Sequence, residues 1–352
     1  MKKSLFVLSA LTATLLLTGC NPGKMVAPDI ELAENSAVEE KMNKYTDALE
    51  NLNEIMDVYR EPGIALAIMP VENKTSAIGK LPNDVTIMVK SAINEIGSKV
   101  RVYQYSDQVL SSIDKLYIIE GAITEFDTTN TSKKGANAGV HGGGGRGEYD
   151  GDASSDVDDA ISNMTVDFNL IEASTGAYVP KVHTSNSIKI IKKSASNDFG
   201  FSILGSGFGL SASANKEQGI HSAIRLLVDL SMVELIGKFR EYPYWVAVSG
   251  GKVNQRLLRR MKKNFGGYPT EAKAIFITHL LSVIDPSIKG QEKNINAKTE
   301  KAITNYKTKY GLMPIDGALT SDLYIHLLEN APKLKGQMQL EDALSDKYNK
   351  ML

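Results

Sequence analysis

Cysteine is almost missing from this chain. There is one, Cys20, so no internal disulfide can form. With only five histidines beside it, the thiolate and imidazole ligands of the common metal centres are poorly supplied, and no metal ligand is assigned. An excess of one charge is also missing. Forty Lys and Arg stand against 41 Asp and Glu, for a formal charge of −1. That balance removes the global basic field a nucleic-acid partner would need. No Ser/His/Asp set or carboxylate pair is brought together by spacing, so no catalytic or cofactor-binding residue is assigned and no cofactor is expected.

What is present is ordinary for folded protein: 42% apolar and 23% charged residues. A length of 352 residues predicts two or three domains. The N-terminus stands apart. Lys2 and Lys3 precede the apolar stretch Leu5–Leu17, which is short for a transmembrane span and has the make-up of a signal peptide. Its end, Leu17-Thr18-Gly19-Cys20, resembles a bacterial lipobox. The resemblance implies cleavage after residue 19 and lipidation of Cys20, with acyl chains such as palmitate contributing ~0.8 kcal/mol per buried CH₂. Asn21, where an Asp would retain the protein at the inner membrane, implies sorting to the outer membrane of a Gram-negative cell, on its periplasmic side. An ordinary secretory signal with a coincidental cysteine is the alternative.

Residues 20–60 read as a tether followed by an amphipathic helix, with Val38, Met42, Tyr45, Leu49, Leu52 and Met56 at three- and four-residue steps. Residues 61–247 read as an α/β (α+β) domain. Gly63–Pro70, Val100–Tyr103 and Leu116–Ile123 are apolar strand patterns, and Leu81–Ile96 is a helix with one apolar stripe. Met164, Val166, Phe168 and Leu170 alternate with polar residues, Ser174-Thr175-Gly176 is a turn, Val182–Lys193 is another strand, and Gln218–Phe239 is a helix. Residues 252–335 read as helical, with Gly311 as a C-cap and Pro314–Gly317 as a turn, and residues 336–352 as a tail.

Four stretches, in order, resemble the CsgG-like family of curli secretion channels, which are outer-membrane lipoproteins: IALAIMPVENKTS, YIIEGAITEF, VDFNLIEASTGAYVPKVHTSNSI, and HSAIRLLVDLSMVELIG with Trp245 after it. Ser76 stands where the family usually has Gly. The stretch NAKTEKAITNYKTKYGLMPIDGALTSDLYIHLLE resembles the latter part of a small three-helix peptidoglycan-binding domain, through Thr299, Ala302, Gly311, Leu312, Asp316 and Gly317. A generic helix–turn–helix packing module is the alternative there.

The first resemblance implies a periplasmic domain with two long β-hairpin excursions that join copies of the chain into a homo-oligomeric ring. By position the excursions are about 124–165 and 182–218. The stretch HGGGGRGEYDGDASSDVDD then lies at the first tip, with Gly142 and Gly145 supplying turns and Asp150 among acids that keep it in water. GGGGRG does not lead from a strand into a capped helix, which argues against a phosphate loop, and the acids lack the spacing of a twelve-residue calcium loop. Phe199, Phe201 and Phe208 mark the second excursion. The first segment lacks a lipid-facing apolar row, and the second comes closer to one. Two readings therefore stay open: a secretion pore, and a structural collar around a pilus, flagellum or other envelope machine that does not span the membrane. The implied partners are copies of the chain, the outer membrane through Cys20, peptidoglycan and other machine subunits.

Overall fold

A computed structural model describes residues 35–60, 62–77, 81–133, 157–192, 199–205, 211–214, 219–248 and 250–349. Cys20, Gly142, Gly145, Asp150 and Phe208 lie outside the described residues. The described residues form a mixed α/β fold followed by a helical C-terminal region. Its helices are α1 (Asn35–Val58), α2 (Thr86–Ile96), α3 (Asp107–Ser112), α4 (Gly219–Arg240), α5 (Gln255–Gly267), α6 (Thr270–Ile284), α7 (Ala297–Tyr310) and α8 (Ser321–Asn349). Its strands are β1 (Ile64–Ile68), β2 (Glu72–Asn73), β3 (Val100–Tyr103), β4 (Leu116–Lys133), β5 (Val157–Glu172), β6 (Tyr178–Lys192), β7 (Phe199–Gly205) and β8 (Ser211–Ala214). The strands make one sheet in the order β3-β1-β4-β5-β6-β7-β8, with β2 beside β4.

The apolar run IALAI becomes β1, parallel to both β3 and β4. A strand paired on both sides in a parallel arrangement is covered on both faces, which is why it shows no alternation. One cover is the main core. The other is a small cluster of Ala67, Leu116 and Ile118 packed by Val109 and Leu110 of α3. From β4 onward the sheet is antiparallel and covered on one face. Met164, Val166, Phe168 and Leu170 of β5 are buried, while Asp167 and Asn169 are partly open. This is the alternation expected of a half-covered strand.

Helix α4 holds the covered face. Ile224, Leu227, Val228, Leu230, Val233, Leu235 and Ile236 are all fully buried, on every side of the helix. Such a helix sits inside a core rather than on it: β5 and β6 pack on one side of α4, and α1 and α2 on others. Leu49, Leu52 and Met56 supply the stripe of α1, as their spacing predicts.

Three local readings differ. The expected helix over Leu81–Ile96 begins at Thr86, because Asp84 accepts from the Thr86 N–H and Val85 continues the turn from Val71. α3 and β2 are too short to carry a period. The last helix passes Leu328 and Pro332 to Asn349.

Candidate functional site

The first feature is where β4 runs on past its last parallel partner, β2. β4 and β5 stay paired from Tyr117↔Glu172 to Lys133↔Val157, so β4 continues ten residues past Ile123. At about 3.3 Å per residue that is an arm of roughly 33 Å. The register slips between Ile123 and Glu125, leaving Thr124 as a bulge. Its Oγ1 donates to the Asp167 carboxylate. The bulge falls at the start of the segment expected to leave the domain. Bulges bend a strand and increase its twist, which suits that position.

Past the bulge the two faces differ. On one, the Thr165 hydroxyl donates to Glu125 at 2.6 Å and lies 2.8 Å from the Ser187 hydroxyl, a polar ladder across three strands. On the other, Phe126 pairs with Met164, and Met164 with Ile188, both of the latter fully buried. Farther out, one rung holds Asp127, Asn163 and Lys189, and the next holds Thr128, Ser162 and Ile190. β6 carries the pairing on to β7, with Ile188↔Ile203, Ile190↔Phe201 and Lys192↔Phe199. β7 then pairs with β8. The second excursion is therefore a three-strand meander rather than one hairpin. Spacing alone marked one turn in this segment, because residues 193–198 carry no glycine while 205–209 carry three.

The second feature is a cleft of ≈930 Å³ at the other end of β6, against α5. Lys181 and His183 line it from the strand, Lys238 from α4, and Arg256, Arg259, Arg260 and Lys263 from α5. Lys238 pairs with Glu234 at 2.8 Å, and Arg260 with Glu241 at 2.8 Å. Among the described residues, Lys181, Arg256, Arg259 and Lys263 form no ion pair. The cleft is positive on a chain that is nearly neutral.

A buried network braces its back wall. Glu234, fully buried, accepts from Asn186 at 2.8 Å and from the Tyr244 hydroxyl at 3.2 Å, besides pairing Lys238. Burial first, and then the charge of Glu234, push the Tyr244 hydroxyl far above its ordinary value, so it remains a donor. Tyr244 accepts in turn from Asn254 Nδ2 at 2.9 Å, while Asn254 Oδ1 caps α5 at the N–H groups of Arg256 and Leu257. One chain of hydrogen bonds thus runs from the sheet to the first turn of the helical region. Trp245 Nε1 to Glu329 (3.0 Å) and Tyr59 OH to the Leu328 carbonyl (2.5 Å) add ties.

The third feature is the turn between α7 and α8. Each motif residue has a local role. Thr299 is buried beside the Asn296 cap, whose Oδ1 accepts from its N–H at 2.9 Å. Ala302 packs against the core as a partly buried residue. Gly311 has φ +67, the left-handed cap geometry. Asp316 accepts from the buried Lys307 ammonium at 2.8 Å and from the Ala318 N–H. The hydrogen bond from Lys307 holds the Asp316 carboxyl below its usual range. Gly317 lies against Glu300 with little room for a side chain. Gly311 and Leu312 also line a groove of ≈490 Å³ with Met313, Ile325 and His326, and Met313 is 70% exposed.

Residues 105–263 match the family model described as curli production assembly/transport component CsgG. The matched span takes in β4 to β8, α4 and most of α5, and so both the arms and the basic cleft. No curated protein matches the chain. Among solved structures, the crystal structure of a putative neuraminyllactose-binding hemagglutinin homolog from Helicobacter pylori is similar at 13% identity, with 49% of this chain and 83% of that one covered and a TM-score of 0.21. Among the described residues, no helix is long and apolar enough to cross a membrane.

Proposed function

Since this chain is a CsgG-like protein, matched over residues 105–263, we propose that it assembles with copies of itself into a ring in the bacterial envelope. In this reading Cys20 ties the ring to the outer membrane, and the helical region around 252–335 ties it to peptidoglycan. The observation that carries the ring is the pair of free strand edges. Past Ile123 the outer edge of β4 has no strand partner among the described residues, and neither has the outer edge of β8. Unpaired edges recruit further strands. Two different edges on opposite sides of the antiparallel arm β4–β8 fit head to tail, and head-to-tail contacts close into rings when the rotation allows. Pairing β8 of one copy with the outer part of β4 of the next continues the sheet, and closure removes both of these edges.

Whether the closed sheet crosses the bilayer depends on its side chains. The rung Asp127–Asn163–Lys189 puts two charged residues within the arm. Lys at mid-bilayer on a lipid face costs about 2–4 kcal/mol per strand position. This favours a structural ring, a collar or scaffold of a flagellum, pilus or secretion machine. The matched family's description as an assembly/transport component favours the second reading, a secretion pore. Wall attachment is supported by the basic cleft, since the wall polymer carries carboxylates and Arg and Lys recognise them.

The ring is tested by extracting the lipidated chain in detergent and imaging it, followed by conductance in planar bilayers. Closed rings are expected, and a stable monomer would remove both readings. Rings without conductance leave the collar, whereas discrete conductance steps establish the pore. Sedimentation of the full chain with purified sacculi tests the wall contact. It should weaken as salt rises, and failure to sediment in low salt ends that part.

A further inference from the structure

The ring joins the outer edges of β4 and β8, and one further edge stays open. β7 pairs with β6 only along Asn186–Lys192. The inner part of β6, up to Ser185, has β5 on one side and no strand on the other among the described residues. Residue parity fixes which way its backbone points. Ala173 donates to the Leu116 carbonyl of β4, so Asn169, an even number of residues away on the same strand, also turns toward β4. Asn169 pairs with His183, so His183 and Ser185 turn their N–H groups away from β5. Lys238 Nζ donates to the outward His183 carbonyl at 2.7 Å.

This edge is one wall of the basic cleft, and α5 is the other. Arg256, Arg259 and Lys263 follow at steps of three and four, so they share one face of α5, and all three are exposed. They form a row about 10 Å long. None of them forms an ion pair among the described residues, and neither does Lys181 on the strand side. Lys238 joins the two walls, since its own carbonyl accepts from Arg260 at 3.1 Å. The ≈930 Å³ between them is at the upper end of the range for ligand sites.

These features narrow the occupant. Four cations without acidic partners select an anion. A row along a helix suits an extended chain of charges, whereas a single phosphate needs cations that converge on one point. Outward N–H groups on a strand edge select a backbone carbonyl at strand spacing. A second copy of the same edge is disfavoured. One residue of β5, Leu170, faces four of β6, Val179–Val182, and this bulge carries Pro180 and Lys181. Bulges, Pro and Lys on an edge keep like strands apart. An acidic strand turns the same lysine into an attraction. Lys181 is held at φ +64, left-handed for a residue with a side chain, and such strained positions cluster at ligand sites. We infer that the cleft is a docking groove for an extended acidic segment of a partner protein, which adds a short strand beside His183 and Ser185 and lays its carboxylates along α5. The groove rests on neither the ring nor the wall contact.

The test is a titration of the full chain in detergent with a capped seven-residue peptide alternating Glu and Val, read by calorimetry and by hydrogen exchange of backbone amides. Saturable binding is expected, weaker as salt rises, with slowed exchange at His183 and Ser185. The same peptide N-methylated throughout keeps its carboxylates and cannot pair as a strand, so it should bind about tenfold more weakly. Arg259→Glu/Lys263→Glu should abolish binding of the Glu peptide and admit its Lys counterpart. Lys181→Gly suits the left-handed backbone, so it should keep the parent's melting temperature while weakening binding by about five- to tenfold, the scale of one charged hydrogen bond. No saturable binding, equal binding of the N-methylated peptide or of tripolyphosphate, or unslowed exchange at His183 and Ser185 would overturn the inference. Sacculus sedimentation without peptide binding overturns the groove and spares the wall contact. Peptide binding without sedimentation does the reverse.

Discussion

Asp229 is a buried carboxyl on α4 with a pH signature of its own. It is 8% exposed. Desolvation first, then the nearby Glu95 charge, raise it from 3.8 to about 7, against a smaller opposing pull from Arg225. A raised acid holds its proton in the folded chain after the unfolded chain has lost it. Stability should therefore fall as pH rises from about 4 to about 7 and level off above, with a slope of at most ~1.4 kcal/mol per pH unit. Urea unfolding across that range should show the slope, and Asp229→Asn should flatten it and gain stability at pH 8. Gly121 is constrained by volume instead. A Cβ there would stand 2.3 Å from Phe168 Cδ1 and 2.7 Å from the Asp167 carbonyl. Gly121→Ala should cost about 1–3 kcal/mol, an overpacking penalty, read as a lower urea midpoint at unchanged slope. The Glu-Gly step was visible in the sequence, but its reason was not: Phe168 lies 47 positions away and reaches Gly121 only through the β4–β5 register.

At the scale of elements, α5 depends on one residue twice. Asn254 caps its first turn and also donates to Tyr244. Asn254→Ala should remove about 0.5–2 kcal/mol from the cap alone and more through the stranded Tyr244 hydroxyl. Asn254→Asp keeps the cap acceptor and loses the amide donor, so the difference between the two variants in a denaturation series measures the network's share. The stripe of α1, the alternation of β5 and the cap of α7 were all legible because they are local: period, parity and one glycine suffice. The meander of β6, β7 and β8 was not. Strand partners are chosen by register across the sheet, and Phe199 and Phe201 acquire meaning only opposite Lys192 and Ile190.

At the scale of the whole molecule, the main apolar core of the described residues runs through both parts. Leu49, Ile224 and Tyr244 belong to the same buried cluster as Leu257, Phe265 and Leu328. The His279–Val58, Trp245–Glu329 and Tyr59–Leu328 hydrogen bonds cross between the two parts. The helical region should then unfold together with the α/β part. Calorimetry of the soluble chain without its first 20 residues should give one transition whose van't Hoff and calorimetric enthalpies agree. Two separated transitions would show that the helical region is an independent module. A chain cut after residue 251 should lose stability overall, because the cut uncovers Tyr59 and Trp245.

Composition and local period, both properties of the sequence by itself, excluded disulfides and left metal and catalytic chemistry without candidates. They also showed an α/β pattern with two interrupted stretches of strand. Three of the four stretches that carried the likeness to CsgG lie within the family match over 105–263, and IALAIMPVENKTS lies before it. Tertiary structure decided the rest: where the bulge at Thr124 interrupts the ladder, which edges stay open, how six cations from three elements meet in one cleft, and how Phe265, Phe276 and Tyr324 come to line one cavity with His279. Each of these is a meeting of residues far apart in the chain. A sequence records periodicity along itself, whereas charge, volume and hydrogen-bond complementarity between distant segments exist only once the core has brought them together.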